Sequence, residues 1–246
     1  MIYPLQSLKD RQAKMAEGHP ALGVTIVIPT FNEEGNIACV INELRHVGFQ
    51  DILVIDGNSK DKTAEIVKKL GVELIRQNGH GKGDALRQVF SYSALRGNTV
   101  VMMDADGSMN PKELFSFIEA LKSDVDVVKG SRFMVGGHSE DMTFVRKVGN
   151  LFFVTLTNLL MRTGYTDLCY GFAVFRREAV ERLYPHLESK SFEIEAEIFT
   201  KAKKLGLSVV EVPSIELRRK YGKSNLGAFR DGFRILKTII RESVIT

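Results

Sequence analysis

Cysteine is scarce in this chain: two residues in 246, Cys39 and Cys169, far apart and without metal-ligand spacing. That excludes a disulfide framework or a cysteine-rich metal module and makes a reducing compartment the default. No stretch reaches the roughly 20 consecutive apolar residues of a spanning helix. The first 22 residues carry charges throughout and no apolar core of signal-peptide length, so they are expected to form an arm outside the main fold. Histidines are few, five in all, and scattered. Internal repeats and low-complexity linkers are missing as well. The formal charge of +4 is too small an excess to imply nucleic acid without a concentrated patch, and no nucleic-acid partner is expected.

What is present is an ordinary globular composition, 44% hydrophobic and 26% charged, in a chain long enough to bury one large core. From Val24, apolar runs of strand length (24–29, 52–56, 72–75, 100–104, 126–129) alternate with segments of helical spacing (34–47, 61–70, 83–95, 111–121). This is a βαβ series, which predicts an α/β fold: a mostly parallel, doubly wound sheet with helices on both faces. Beyond Gly130 the rhythm changes. Residues 148–161 are apolar on nearly all sides, which suits a core helix; strands are expected at 171–176 and 209–217, with a helix at 192–205 between them. The expected organisation is an arm (1–22), one domain (23–226) and a C-terminal basic amphipathic helix (227–246). On that helix Phe229, Phe233, Leu236 and Ile240 share a face and Arg230, Arg234, Lys237 and Arg241 lie mostly off it, a pattern that fits an anionic membrane surface or packing on the domain.

Chemistry-bearing residues gather where strands end. The run Val100–Met103 is followed by Asp104-Ala105-Asp106, two carboxylates one residue apart at the carboxyl end of a buried strand, where open α/β sheets bind ligands. Their mutual repulsion is relieved by a hard cation with oxygen ligands. A helix start before Pro111 explains the same residues without a metal. The first strand ends in Pro29-Thr-Phe-Asn32-Glu33 and the second in Asp56, whose carboxylate can accept from a base or a ribose. Asn78-Gly-His-Gly-Lys82-Gly83 has neither the Ser/Thr of a Walker loop nor the placement of a dinucleotide fingerprint, which disfavours a Rossmann dehydrogenase; Lys82 can still approach a nucleotide. Arg132 and Arg146 flank a polar, glycine-containing loop, and 218–223 concentrates four cations. Acids for a metal and cations for phosphates are the two halves of a nucleoside diphosphate site.

Seven motifs occur in order: Pro29-x-x-Asn32-Glu33, Asp56-x-x-Ser59-x-Asp61-x-Thr63, Gly81-Lys82-Gly83, Asp104-Ala105-Asp106, Gly130-Ser131-Arg132, Asp167-x-x-x-Gly171-Phe172 and Arg219-x-x-Gly222-x-Ser224. Together, over residues 24–226, they resemble family 2 glycosyltransferases of the GT-A fold, and most closely the dolichyl-phosphate or polyprenyl-phosphate sugar synthases. The resemblance implies an inverting hexosyl transfer from a GDP- or UDP-linked sugar to a polyprenyl or dolichyl phosphate by an enzyme peripheral at the cytoplasmic face of a membrane. It implies a donor site containing Pro29, Asn32, Glu33, Asp56, Lys82, Ala105 and Ser224, Mg or Mn held by Asp106 and Asp104, and Arg219 on the pyrophosphate. It further implies that Arg132 and Arg146 hold the acceptor phosphate. Ser108, Asn150, Tyr170 and Asn225 depart from the usual Gln, Ser, Ser and Lys. A phosphate acceptor needs no general base; a hydroxyl acceptor, the alternative, would need one, and Asp167 is the candidate by position. A silent sugar-nucleotide-binding module is the non-enzymatic alternative.

Overall fold

A computed structural model of the protein describes residues 21, 23–92 and 95–244; apart from Ala21, the expected arm lies outside them. The first half is the alternating series. It runs β1 (Val24–Thr30), α1 (Ile37–His46), β2 (Ile52–Asp56), α2 (Thr63–Lys69), β3 (Glu73–Arg76), α3 (Lys82–Phe90), β4 (Thr99–Met102), a 3-10 turn at Pro111–Glu113 and α4 (Leu114–Ala120). Then follow β5 (Val127–Ser131), β6 (His138–Ser139), α5 (Phe144–Met161), β7 (Ala173–Arg176), α6 (Arg177–Leu183), α7 (Ile194–Lys204), β8 (Val209–Pro213), β9 (Ile215–Glu216) and α8 (Ala228–Val244).

Seven strands form one sheet in the order β3-β2-β1-β4-β7-β5-β8. Only β7 runs against its neighbours β4 and β5, so the sheet is mostly parallel, as expected. The chain works outward from β1 through β2 to β3 and then returns to β4 on β1's other side, which opens a crevice at the carboxyl ends of β1 and β4. Side chains alternate across the sheet: Val27, Leu53, Val100 and Met102 pack on α3, α6 and α7, whereas Ile26, Ile28, Val54 and Val101 pack on α1, α2 and α4. Both faces are covered, which is why these strands read as unbroken apolar runs.

Two expectations change, and one that was left open narrows. The strand expected at 209–217 breaks after Pro213, which lies on the sheet's edge strand; β9 then pairs with β6 in a separate two-stranded sheet. The helix expected at 148–161 begins earlier, at Phe144, capped by Thr143, and it is no core helix: it buries Asn150, Val154 and Thr157 while Phe144, Leu151 and Leu159 are 62–80% exposed. Finally, α8 packs on α5 and α7 through Asp231, Ile235, Thr238, Ile239 and Glu242. Of the apolar stripe read from sequence, Phe229, Phe233 and Ile240 face out and Leu236 is half-buried.

Candidate active site

Polar turns at the strand ends are held in place by pairings between strands. Asn32, in the left-handed region at φ 55°, donates its N–H to Ser59 Oγ (2.9 Å) and accepts Lys60 N–H on Oδ1 (2.7 Å), knitting the turns after β1 and β2 together. Asp56 caps its own turn by accepting Ser59 N–H. Glu33 N–H donates to Thr63 Oγ1 at 2.8 Å. The segment after β9 is pinned across these turns by Asn36, which donates to Tyr221 O (3.0 Å) and accepts Tyr221 N–H (3.2 Å). That crossing carries Arg219 over the sheet edge. Its guanidinium spans 2.8 Å contacts to Glu33 Oε1 and to Asp106 Oδ2. Burial disfavours its charge, but Asp106 and Glu33 more than offset this and raise its pKa.

Asp104 is served by a different cation. Lys82, the first residue of α3, places Nζ 2.5 Å from Asp104 Oδ1 and 2.6 Å from Glu195 Oε1 of α7. Although burial opposes its charge, these two carboxylates raise its pKa above the ordinary lysine value. Its flanking glycines have a packing reason rather than a phosphate-loop one. Gly83 and Asp84 N–H donate to Lys190 O (3.0 and 3.2 Å), and a Cβ at Gly83 would collide with the backbone of Ser189 and Lys190. Gly171 has a like role, since a Cβ there would stand 2.6 Å from Lys82 Nζ and 2.8 Å from Glu195 Oε1. Asn110, not Asp104 or Asp106, caps the turn at Pro111 by accepting Lys112 N–H. The two aspartates are therefore free of the structural role that a helix start would have given them.

Arg132, at the end of β5, forms a forked pair with Asp167, Nε to Oδ2 at 2.7 Å and Nη2 to Oδ1 at 3.0 Å. It also donates to Glu216 (3.2 Å) and to Cys169 O (2.7 Å). Asp167 is fully buried. Burial alone would raise its pKa, yet Arg132 holds the carboxyl below its ordinary value. An ionised, fully paired carboxylate is a positioning group for Arg132 and a poor general base. The resemblance assigns both arginines to an acceptor phosphate, but Arg132's donors are already engaged. Arg146, in the first turn of α5, has no side-chain partner among the described residues.

Ten of the thirteen residues singled out from sequence line one cavity of about 910 Å³: Pro29, Glu33, Lys82, Asp104, Ala105, Asp106, Arg132, Arg146, Arg219 and Ser224. Asn32, Asp56 and Asp167 do not line it. Beyond the polar end, the wall is apolar, built from Val145, Val148, Phe152 and Phe153 of α5 with Phe229 and Ile235 of α8. Sequence reading missed Glu195 and Glu216. The signal for Glu195 was an acid set between Ile194 and Ile198 on a helix whose buried face it shares.

Among the described residues no group of three or more His, Cys, Asp or Glu could enclose a metal. Asp104 and Asp106 still suit Mg or Mn, which are bound through one or two carboxylates together with substrate phosphates and water. Each has one oxygen paired with a cation, and the second oxygen of Asp106 accepts Ser108 N–H.

Residues 25–184 match the family model described as Glycosyl transferase family 2. The chain is 32% identical over 221 residues to the glycosyltransferase AglJ of Haloferax volcanii, covering 89% of this chain and 72% of that protein. It is 30% identical over 217 residues to a polyprenol monophosphomannose synthase of Mycolicibacterium smegmatis (84% of this chain, 82% of that one). A dolichyl-phosphate hexose transferase of Haloferax volcanii is 29% identical over 220 residues (89% and 92%). Among solved structures, the glucosyl-3-phosphoglycerate synthase of Mycobacterium tuberculosis, in complex with manganese, uridine diphosphate and glucosyl-3-phosphoglycerate, matches with TM-score 0.74 at 19% identity, covering 100% of this chain and 87% of that one, a likeness of fold.

Proposed function

The chain belongs to glycosyl transferase family 2 and has its GT-A fold, and from that premise we propose that it moves a hexosyl group from a nucleoside diphosphate sugar to a polyprenyl phosphate, with inversion. The observation that carries this reading is the composition of the cavity. One end gathers Asp104, Asp106, Lys82 and Arg219, and the other is walled by α5 and α8, whose outer apolar side chains are exposed. A charged head and an isoprenoid tail need such a two-ended site. The related polyprenol and dolichyl phosphate enzymes point the same way.

In this reading Pro29 and Glu33 bound the nucleoside, with Asn32 and Asp56 shaping the turns behind them, and Ala105 and Ser224 lie against the donor. Arg219 and Lys82 balance the diphosphate's charge. Asp104 and Asp106 would hold Mg or Mn, whose chemistry is to neutralise the leaving diphosphate. Arg146 binds the acceptor phosphate, while Arg132, which lines the same cavity, is held by Asp167 and Glu216. A phosphate oxygen attacks the anomeric carbon, the bond from that carbon to the diphosphate oxygen breaks, and the nucleoside diphosphate leaves. No proton need be removed from an ionised phosphate. That suits a site in which Asp167, the base expected for a hydroxyl acceptor, is buried and paired.

No helix among the described residues is long and apolar enough to cross a membrane. The exposed stripe of α8 and the exposed apolar residues of α5, with Lys147, Arg230, Arg234 and Lys237 nearby, support peripheral docking at an anionic, cytoplasmic membrane face. The deciding experiment supplies labelled UDP- and GDP-hexoses with a short polyprenyl phosphate or the matching free alcohol. Transfer to the phosphate alone is expected; transfer to the alcohol alone would overturn the reading.

A further inference from the structure

Four side chains serve two ligands of opposite charge in the reading above: Asp104 and Asp106 for the metal, Lys82 and Arg219 for the diphosphate. In the structure these four satisfy one another. Lys82 Nζ lies 2.5 Å from Asp104 Oδ1, and Arg219 Nη2 lies 2.8 Å from Asp106 Oδ2. The other oxygen of Asp106 accepts Ser108 N–H at 3.0 Å, so both of its oxygens are engaged. Each cation also holds a second carboxylate, Glu195 for Lys82 at 2.6 Å and Glu33 for Arg219 at 2.8 Å.

The two cations differ in their freedom. Lys82 belongs to α3 and its side chain is 8% exposed, whereas Arg219 rides on the segment after β9, where Arg218, Lys220 and Tyr221 are exposed. The backbone of that segment is nevertheless fixed. Asn36 holds Tyr221 through both backbone groups, and the same amide donates to Glu33 Oε2 at 2.6 Å. Glu33, 8% exposed, thus has both oxygens engaged and stays where it is. One arm of the Arg219 guanidinium rests on this fixed carboxylate and the other reaches Asp106. Only the second contact has to break for Nη2 to turn toward another anion in the cavity.

A guanidinium and a divalent cation compete for the lone pairs of Asp106 Oδ2 and repel each other. Nor can Nη2 serve a diphosphate while Asp106 holds it. A diphosphate offers Arg219 charged oxygens in exchange for that carboxylate. Each ligand therefore relieves the pairing that opposes the other, and ligands that favour the same arrangement bind with a shared coupling free energy.

We propose that Arg219 gates the metal site: pivoting on Glu33, it leaves Asp106 for the diphosphate, so that metal and nucleotide each bind weakly alone and tightly together. This rests on the glycosyltransferase reading above and adds to it how loading of the site is controlled. Asp106 becomes available to a divalent ion when a nucleotide has drawn Arg219 away, which keeps the site from filling with metal alone.

The test uses the full chain, with Mn binding read by paramagnetic resonance of the free ion and nucleotide binding by titration calorimetry with UDP and GDP. The proteins compared are the wild type, Arg219→Gln, Arg219→Lys and Arg146→Gln. Arg146 lines the same cavity and is paired with neither aspartate, so Arg146→Gln measures the general effect of removing a positive charge. Without nucleotide, Arg219→Gln is expected to bind Mn about tenfold or more tightly than wild type, and Arg146→Gln to stay within about threefold. Arg219→Lys, whose single ammonium lacks the fork that spans both carboxylates, should fall between. Nucleotide should tighten Mn binding more in wild type than in Arg219→Gln, and Mn should tighten nucleotide binding by the same factor in each protein. Equal Mn affinity in wild type and Arg219→Gln, or an equal gain in Arg219→Gln and Arg146→Gln, would overturn the gate and leave the transferase reading standing. Should Arg219→Gln fail to fold by circular dichroism, Arg219→Lys carries the same comparison. Failure of the wild type to bind either nucleotide, with Mn or with chelator, would instead sink the glycosyltransferase reading itself.

Discussion

Arg132 Nε lies 2.7 Å from Asp167 Oδ2, and the two side chains pair fork to fork where almost no solvent reaches either. A buried pair of this kind contributes little net stability when intact, but removing one partner strands a charge. Asp167→Asn is therefore expected to destabilise the protein by about 3–5 kcal/mol, measured by urea unfolding. The pH dependence has a definite sign. Asp167's folded pKa lies below its ordinary 3.8 because Arg132 outweighs burial, so the stabilisation is present above the unfolded value and lost as pH falls through the folded one. The gap between wild type and variant should shrink below about pH 4; a gap that widens there would contradict the pairing.

Asp106→Asn alters charge without changing volume, at a partly exposed strand end. Transfer should fall by two orders of magnitude or more while thermal stability stays within a few degrees. Excess chelator should abolish wild-type transfer, and added Mg or Mn should restore it. Undiminished turnover in chelator would remove the metal from the proposal.

Among the described arginines that line the cavity, Arg146 is the one without a carboxylate partner, and its fork matches phosphate oxygens in a way an ammonium does not. Arg146→Ala should raise the KM for polyprenyl phosphate about 10- to 100-fold, the equivalent of about 1.5–3 kcal/mol for a charged hydrogen bond. Donor KM should barely move, and Arg146→Lys should recover only part of the loss. An equal rise in both Michaelis constants would place Arg146 elsewhere in the reaction.

Phe229 and Phe233 are 88% and 70% exposed on a helix whose opposite face is packed. Each fully inserted Phe is worth about 1.5–3 kcal/mol, so a double Phe→Ser variant should bind anionic vesicles at least about a hundredfold more weakly. Vesicle cosedimentation across a salt series separates this apolar contribution, which salt leaves standing, from that of Arg230, Arg234 and Lys237, which salt screens.

Arg241 anchors α8 to the rest of the molecule by pairing with buried Glu197 and with Glu188. Glu197 in turn accepts the N–H groups of Glu188 and Ser189, next to the Lys190 carbonyl that caps α3. Arg241→Ala should speed amide exchange in α8 and in residues 188–191 together. Faster exchange in α8 alone would show that the two segments open independently.

The sequence by itself determined the layered sheet and the crevice end, because a strand covered on both faces must be apolar throughout and its polar residues appear only where it emerges. Asp104, Asp106 and Glu33, which line the cavity's polar end, were legible for that reason, whereas Lys82 was legible only from the glycine-rich turn that opens α3. Which charges meet was decided by tertiary structure alone: Lys82 lies 113 residues from Glu195, and Arg219 lies 186 from Glu33. Local periodicity carries no information on such pairings. The same limit applies to α8, where two apolar faces compete. Its outward stripe of Phe229, Phe233 and Ile240 is as regular as the packed one, and Ile235 and Ile239 face inward because Lys201 and Lys204 of α7 meet Glu242 beside them. Burial of Glu195 and Glu242, acids that composition alone would place in water, became tolerable only once the fold set a lysine against each.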